Sequence, residues 1–324
     1  MASASATARS LLPLAVGPAM SATAFPGDPE VLIARLIADL DTLERRLDAA
    51  TAALDKAGMP IAEAMMLDHW SEVLQLTLPG DDVALLRRVI DDCFAPSDAI
   101  IASEPFRIPD VFVSDMDSTM IGQECIDELA DYAGIKPQIA AITERAMQGE
   151  LDFESALRER VRLLAGLEEA TIAQCLIERI VPMDGARTLV ATLKERGSRT
   201  VLVTGGFHHF ADPMAKNIGF ERVIGNRLEV HAGKLTGGLV GGITASAAKE
   251  AVLREEMARF GENAVSLATG DGANDIPMLA AATYGVAFHA KPKARAAANG
   301  WIDRGDLTSI LKLLEIPEHD WVMG

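Results

Sequence analysis

From Val111 onward, short apolar runs recur, each ending in a polar or glycine-rich turn and followed by a helix-like pattern. The runs are Val111–Ser114, Thr200–Val203, Val265–Ala268 and Gly285–Phe288. Strands that alternate with helices imply βαβ units and a parallel sheet. In such a sheet the functional site lies beyond the carboxyl ends of the strands. Between Gly122 and Pro182 the strand pattern stops, and Ile126–Tyr132, Ile139–Met147, Phe153–Leu164 and Thr171–Ile180 all read as helices. The predicted fold class is therefore α/β, a doubly wound parallel sheet with a helical cap of about residues 123–182 inserted after its first strand.

The preceding residues have a different texture. Residues 1–28 are rich in Ala, Ser, Gly and Pro and are expected to form a flexible leader. Their one basic residue and broken apolar run imitate a signal peptide poorly, so a cytoplasmic protein is expected. Pro29 to Ala57 reads as a helix, with Leu32, Leu36, Leu40, Leu43 and Leu47 on one face. Trp70–Leu78 alternates like a strand, and Asp82–Cys93 is helical again. Residues 29–105 thus form a predicted small α+β module, bounded by Pro105 and Pro109, with residues 106–324 as the second unit.

Four motifs sit at the predicted strand ends or helix starts. Asp115-Met116-Asp117-Ser118-Thr119 follows the first strand. Two carboxylates one residue apart can serve one crevice, one attacking phosphorus while the other handles protons. Both reactants are then anionic, and a hard divalent cation on oxygen ligands supplies the missing positive charge. Thr204-Gly205-Gly206-Phe207 offers a hydroxyl and glycine N–H groups that can cradle a phosphoryl group. Lys249 opens a predicted helix to Phe260 and can place a point charge beside a phosphate. In Gly270-Asp271-Gly272-Ala273-Asn274-Asp275-Ile276-Pro277, Asp271 is a candidate metal ligand and Asp275 a candidate helix cap that orients the site. The first three motifs are weak alone; the last is more specific, since a plain cap would not need a pair of acids in such a glycine setting, and the order of all four in one α/β pattern is decisive.

In the order and setting of these four motifs the chain resembles the haloacid-dehalogenase-like phosphatase superfamily, and within it the phosphoserine phosphatases, over about residues 108–315. The resemblance implies a HAD-like Rossmannoid core, Asp115 as nucleophile and Asp117 as general acid and then base. It implies Mg²⁺ on Asp115, the Asp117 carbonyl and Asp271, with Thr204, Gly205 and Lys249 holding the phosphoryl group. Thr204 stands where the family usually has serine, and its extra methyl is expected to tighten the pocket. In the cap the resemblance assigns Glu124 to the substrate ammonium, Arg160 to its carboxylate and Phe153 to apolar closure. Asn274 would hydrogen-bond substrate or phosphate, with Thr119, Gly206 and Asp275 in support. Residues 220–243 resemble a flap hairpin, and residues 29–105 occupy the place of an ACT-like regulatory module in relatives, though their strands look incomplete.

The implied reaction is hydrolysis of O-phospho-L-serine to L-serine and phosphate, the last step of serine biosynthesis. Two alternatives are a phosphatase or phosphotransferase acting on another phosphorylated amino alcohol, such as phosphohomoserine, and a non-catalytic serine-sensing regulator. Composition narrows the partners. A net charge of −17, from 47 acidic and 30 basic residues, argues against nucleic acid and anionic membrane surfaces. No apolar stretch is long enough to span a membrane. Three cysteines without a C-x-x-C pair suggest neither a disulfide framework nor a zinc site. The expected partners are the small-molecule substrate and, at most, a second copy in a homodimer.

Overall fold

The computed structural model describes residues 31–67, 69–147 and 150–324, so the leader expected over 1–28 lies outside the described residues. The chain runs β1 (Val31–Ile37), α1 (Leu43–Lys56), β2 (Glu63–Leu67), β3 (Trp70–Pro79), α2 (Val83–Phe94), β4 (Asp98–Ala102) and β5 (Val111–Ser114). Four helices follow: α3 (Cys125–Tyr132), α4 (Lys136–Met147), α5 (Phe153–Leu163) and α6 (Ala170–Arg179). Then come α7 (Ala186–Glu195), β6 (Arg199–Phe207), α8 (His208–Ile218), β7 (Arg222–His231) and β8 (Lys234–Val240). The chain ends with α9 (Ser246–Met257), β9 (Ser266–Gly270), α10 (Ile276–Ala281), β10 (Tyr284–Phe288), α11 (Pro292–Ala297), β11 (Gly300–Ile302) and α12 (Ser309–Leu313).

All the strands join one sheet in the order β2-β3-β1-β4-β11-β10-β9-β5-β6-β7-β8. The stretch β11-β10-β9-β5-β6-β7 is parallel, as the alternating pattern predicts. From β5 the chain adds strands first on one side, β6 then β7, and later on the other, β9 then β10. The order therefore reverses at β5, and the crevice at its carboxyl end is the topological switch point where such sheets hold ligands. Successive strand residues feed opposite cores. Phe112, Leu202, Leu267 and Val286 join one; Val111, Val113, Val201, Val203 and Ala287 join the other. A strand buried on both faces has no polar side, which is why these segments read as continuous apolar runs.

The helix expected over Pro29–Ala57 is corrected: residues 31–37 are a strand and only Leu43–Lys56 is α-helical. Leu32 and Leu36 satisfy both periods, four apart on a helix and even-numbered in a strand. Leu32, Ala34 and Leu36 are all buried on one side of β1, which has neighbours on both edges, β3 and β4. Pairing along two edges overrides a local pattern that fits either state. Residues 31–102 follow the order β1-α1-β2-β3-α2-β4 in an antiparallel set, the split βαβ of ferredoxin-like folds. The strands that looked incomplete in sequence are all present.

That set is continuous with the parallel strands. β4 pairs antiparallel with β11, Ala99 opposite Trp301. Buried Asp98 accepts hydrogen bonds from the backbone N–H groups of Asp303 (2.9 Å), Arg304 (2.8 Å) and Gly305 (3.1 Å) and from Ser309 Oγ (2.9 Å). Arg35 pairs with Glu315 at 2.7 Å, and the Trp301 ring lies under Arg87 and Arg295, each 4.7 Å from its centroid. At the other sheet edge β7 turns back as β8. The hairpin tip is stitched to the segment joining α5 and α6: Gly166 N donates to Leu235 O (2.8 Å), Leu235 N to Leu167 O (2.9 Å) and Glu169 N to Gly233 O (2.8 Å).

Candidate active site

Asp115 follows β5 directly. Its N–H donates to Thr269 O of β9 at 3.0 Å, which carries the ladder one residue past the strand and fixes the carboxylate at the switch point. Asp115 Oδ1 accepts from Met116 N at 2.7 Å, and Oδ2 lies 2.7 Å from Lys249 Nζ. The second ammonium contact is Asp275 Oδ1 at 2.6 Å. Lys249, Asp115 and Asp275 are all buried, so this is a three-member charge network. Burial alone would lower the Lys249 pKa, but Asp115 and Asp275 overcome it and raise it. Burial pushes the Asp115 carboxyl well above the usual range; Asp275 adds to the rise and Lys249 opposes it.

Asp275 caps the helical start as expected, though from inside it, as one half of a capping box on Gly272 at the 3-10 turn Ala273–Asp275 that leads into α10. Its Oδ2 turns back to accept from Gly272 N at 3.0 Å, because Lys249 already fixes the other oxygen. Gly270 makes this possible, since a Cβ there would lie 2.4 Å from the Asp275 Cγ. Pro277 stands in the first turn of α10, as expected. Carboxylate oxygens of Asp115, Asp271 and Asp275 lie within 4.8 Å of one another. A converging set of hard oxygen donors suits a cation such as Mg²⁺ and not a soft metal, so the residues present fit the implied ion.

The cleft above this network is lined by Asp115, Asp117, Glu124, Phe153, Arg160, Thr204, Gly205, Gly206, Asp271 and Asn274, together with Ile126, Leu157, Phe207 and Lys291. Ten of the expected residues thus meet in one cavity of about 160 Å³. Lys249 and Asp275 lie beneath it. Thr119 is buried nearby; its N–H donates to Met116 O at 3.2 Å, and its hydroxyl has no partner among the described residues.

Burial pushes Asp117 up to about 7, with Glu124 adding to the rise. Its Oδ1 accepts from Cys125 N at 3.4 Å. Glu124, also raised by burial, accepts from Ser118 Oγ at 2.9 Å. Burial lowers the Arg160 pKa, although Asp127, Glu124 and Asp117 oppose the shift. Arg160 Nε donates to Ala156 O at 3.4 Å, and the guanidinium forms no ion pair with a described residue. Phe153, the first residue of α5, reaches onto the Thr204–Gly206 segment, where a Cβ on Gly205 would meet its ring at 3.1 Å.

Thr204 Oγ1 accepts from Gly206 N at 2.9 Å. Its extra methyl does not narrow the cleft as expected. It faces Gly225 of β7, where a Cβ would lie 3.2 Å away, so the missing side chain leaves it room. The sequence reading passed over three residues. Asn226 Nδ2 donates to Gly205 O at 2.8 Å and its Oδ1 accepts from Thr244 N at 2.8 Å, so the hairpin base holds the Thr204–Gly206 segment. Ser118, at φ 54°, turns back to hold Glu124. Lys291 pairs with Asp271 at 3.1 Å and its N–H donates to Asp271 O at 2.8 Å. Ser118 lies inside the first motif and was legible as a polar neighbour. Asn226 and Lys291 carry no local signal that separates them from ordinary surface residues.

The sequence model of the haloacid dehalogenase-like hydrolases matches residues 112–280, from β5 through most of α10. The chain belongs to the haloacid dehalogenase-like hydrolase family. Among relatives, it is 43% identical over 219 residues to a phosphoserine phosphatase of Albidiferax ferrireducens, a match covering 65% of this chain and 92% of that one. It is 40% identical over 210 residues to a longer phosphoserine phosphatase of Archaeoglobus fulgidus, covering 64% of this chain and 60% of the relative. Two solved structures of family members complete the picture. A HAD family hydrolase from Salmonella enterica serovar Typhi superposes with a TM-score of 0.75 at 28% identity, covering 88% of this chain and 99% of that one. A phospho-aspartyl intermediate analogue of phosphoserine phosphatase superposes with a TM-score of 0.58 at 37% identity, covering 64% of this chain and 99% of that one. The match to the Salmonella protein extends beyond the family segment, so its likeness in fold takes in more than the catalytic core.

Proposed function

We propose that this HAD-family phosphatase hydrolyses O-phospho-L-serine to L-serine and phosphate, the last step of serine biosynthesis. The observation that carries the proposal is the pairing, in and just beneath one small cleft, of the expected phosphoryl-transfer residues with a cation, Arg160, and a carboxylate, Glu124, from the segment inserted after β5. Asp115 attacks phosphorus, and the bond from phosphorus to the serine oxygen breaks. Asp117, whose carboxyl burial and Glu124 push up to about 7, gives its proton to that oxygen. Ionised Asp117 then takes a proton from water as the water oxygen attacks phosphorus, which returns the Asp115 carboxylate and releases phosphate. Lys249 and the N–H groups around Thr204 and Gly205 face the charge that develops on the phosphoryl oxygens.

Mg²⁺ would sit on Asp115, Asp271 and the Asp117 carbonyl, with Asp275 bordering the set, and would supply positive charge where two anions must meet. Glu124 and Arg160 would read the ammonium and carboxylate of serine, and Phe153 would exclude water above Gly205. The three cysteines are free thiols, which suits a cytoplasmic setting. The split βαβ of residues 31–102 is an N-terminal motif that shares one sheet and both apolar cores with the parallel strands.

The test is a turnover panel of phosphoserine, phosphohomoserine and an aryl phosphate, with the wild type and Arg160→Ala. Phosphoserine should have the highest kcat/KM. Arg160→Ala should lose about 2 kcal/mol of that preference, because a desolvated carboxylate is left unpaired. The aryl phosphate, which has no carboxylate, should lose far less. Equal losses on both esters would place Arg160 in phosphoryl binding or folding and remove the basis for serine recognition.

A further inference from the structure

The cleft is short of accessible positive charge. Asp115, Asp117, Glu124 and Asp271 line it, against Arg160 and Lys291. Lys249 lies below and is held between Asp115 and Asp275. Arg160 is half-buried, whereas the Lys291 side chain is 65% exposed, which makes it the cation that an arriving ligand meets first. The whole chain carries −17, so an anionic substrate approaches an unfavourable field and gains from any local positive point.

Lys291 is placed to change partners. Its backbone is fixed on Asp271 O, while its largely exposed side chain reaches the buried Asp271 Oδ2 at 3.1 Å. Asp271 is buried, so its carboxylate would be left uncompensated if the ammonium simply withdrew, and the pair opens only when another cation meets that charge. Once Asp271 holds a divalent cation its charge is already met, and an ammonium on a flexible four-carbon stem is free to turn towards an incoming anion. We infer that Lys291 is the recruiting cation of the cleft: it leaves Asp271 to meet the anionic substrate at the rim and draws it towards Arg160 and Asp115. This assignment rests on the proposed phosphatase reading and adds a specificity-determining residue to it.

The experiment compares wild type, Lys291→Met and Lys291→Arg in full-length protein. kcat and KM for phosphoserine are measured across a salt series, and Mg²⁺ binding is measured by calorimetry without substrate. At low salt Lys291→Met should lower kcat/KM about fivefold, mainly through KM, and Lys291→Arg should retain it. The wild-type and Met curves should converge as salt screens the charge. Mg²⁺ should bind Lys291→Met at least as tightly as wild type, since a neighbouring positive charge is gone. Parallel salt curves would overturn the inference. So would weaker Mg²⁺ binding with a matching loss of kcat, which would make Lys291 a clamp on Asp271. If the wild type prefers another ester in the panel, the substrate assignment fails on its own, and the same salt series on that ester decides the role of Lys291.

Discussion

Asp117 and its neighbours tie the chemistry of the cleft to its stability. Without metal, burial holds Asp115, Asp117 and Asp271 above the ordinary carboxylate range, Asp117 up to about 7. Between about 4, the unfolded value, and 7 the native state binds more protons than the unfolded one, so stability falls as pH rises. A divalent cation favours the ionised carboxylates and offsets that loss. The gain in Tm from Mg²⁺ should therefore be larger at pH 8 than at pH 5.5. An equal gain at both would mean that these carboxylates do not face the ion. Asp115→Asn should stay folded yet lose at least about 10³-fold in kcat, because an amide cannot serve as the nucleophile. Near-normal turnover in that variant would remove the phospho-aspartyl step. The residues proposed to react were legible because they follow the end of a strand, so position and residue type agree. Lys291 and Asn226 were not, because their roles exist only once distant loops meet.

At the scale of elements, the β7–β8 hairpin is tied by backbone hydrogen bonds to the segment between α5 and α6. Gly237 has φ 83°, and a Cβ there would lie 3.0 Å from Ala165 Cβ and 3.1 Å from Arg162 O. Gly237→Val adds backbone strain and pushes the hairpin away from the end of α5, at a cost of about 1–3 kcal/mol. Because Asn226 at the hairpin base holds Gly205 O, the displacement reaches the Thr204–Gly206 segment. The expected outcome is a loss of about tenfold in kcat/KM for phosphoserine with Mg²⁺ binding unchanged, read by steady-state kinetics and calorimetry. Unaltered kinetics would uncouple the hairpin from the cleft. The helices of the cap were readable from period alone, since each buries one stripe. β1 was not: an apolar pattern with residues four apart fits a helix and a strand equally, and the deciding partners, β3 and β4, lie up to about 70 residues downstream.

For the whole molecule, the junction between the N-terminal strands and the core is held by buried polar bonds as well as by shared apolar cores. Asp98→Ala would orphan three backbone N–H groups and a hydroxyl and should cost at least about 3 kcal/mol. The protein's three tryptophans all report on this region. Trp301 lies in β11 opposite Ala99, and Trp70 packs on Trp321 with ring centroids 5.4 Å apart. In urea, tryptophan fluorescence and far-ultraviolet dichroism should follow one transition, and Asp98→Ala should shift both together. Two separated transitions would mean that residues 31–102 fold as an independent body.

The Ala99–Trp301 pairing also sets an order of events during synthesis. About 200 residues separate the partners. At 5–20 residues per second, β4 waits roughly 10–40 s on the ribosome before β11 is made. For that interval β4 presents Ile100 and Ile101 on an edge with no neighbour, the kind of surface that recruits strands from other chains. The nascent protein therefore passes through a period of exposure that the finished one never shows, and chaperone dependence should concentrate there.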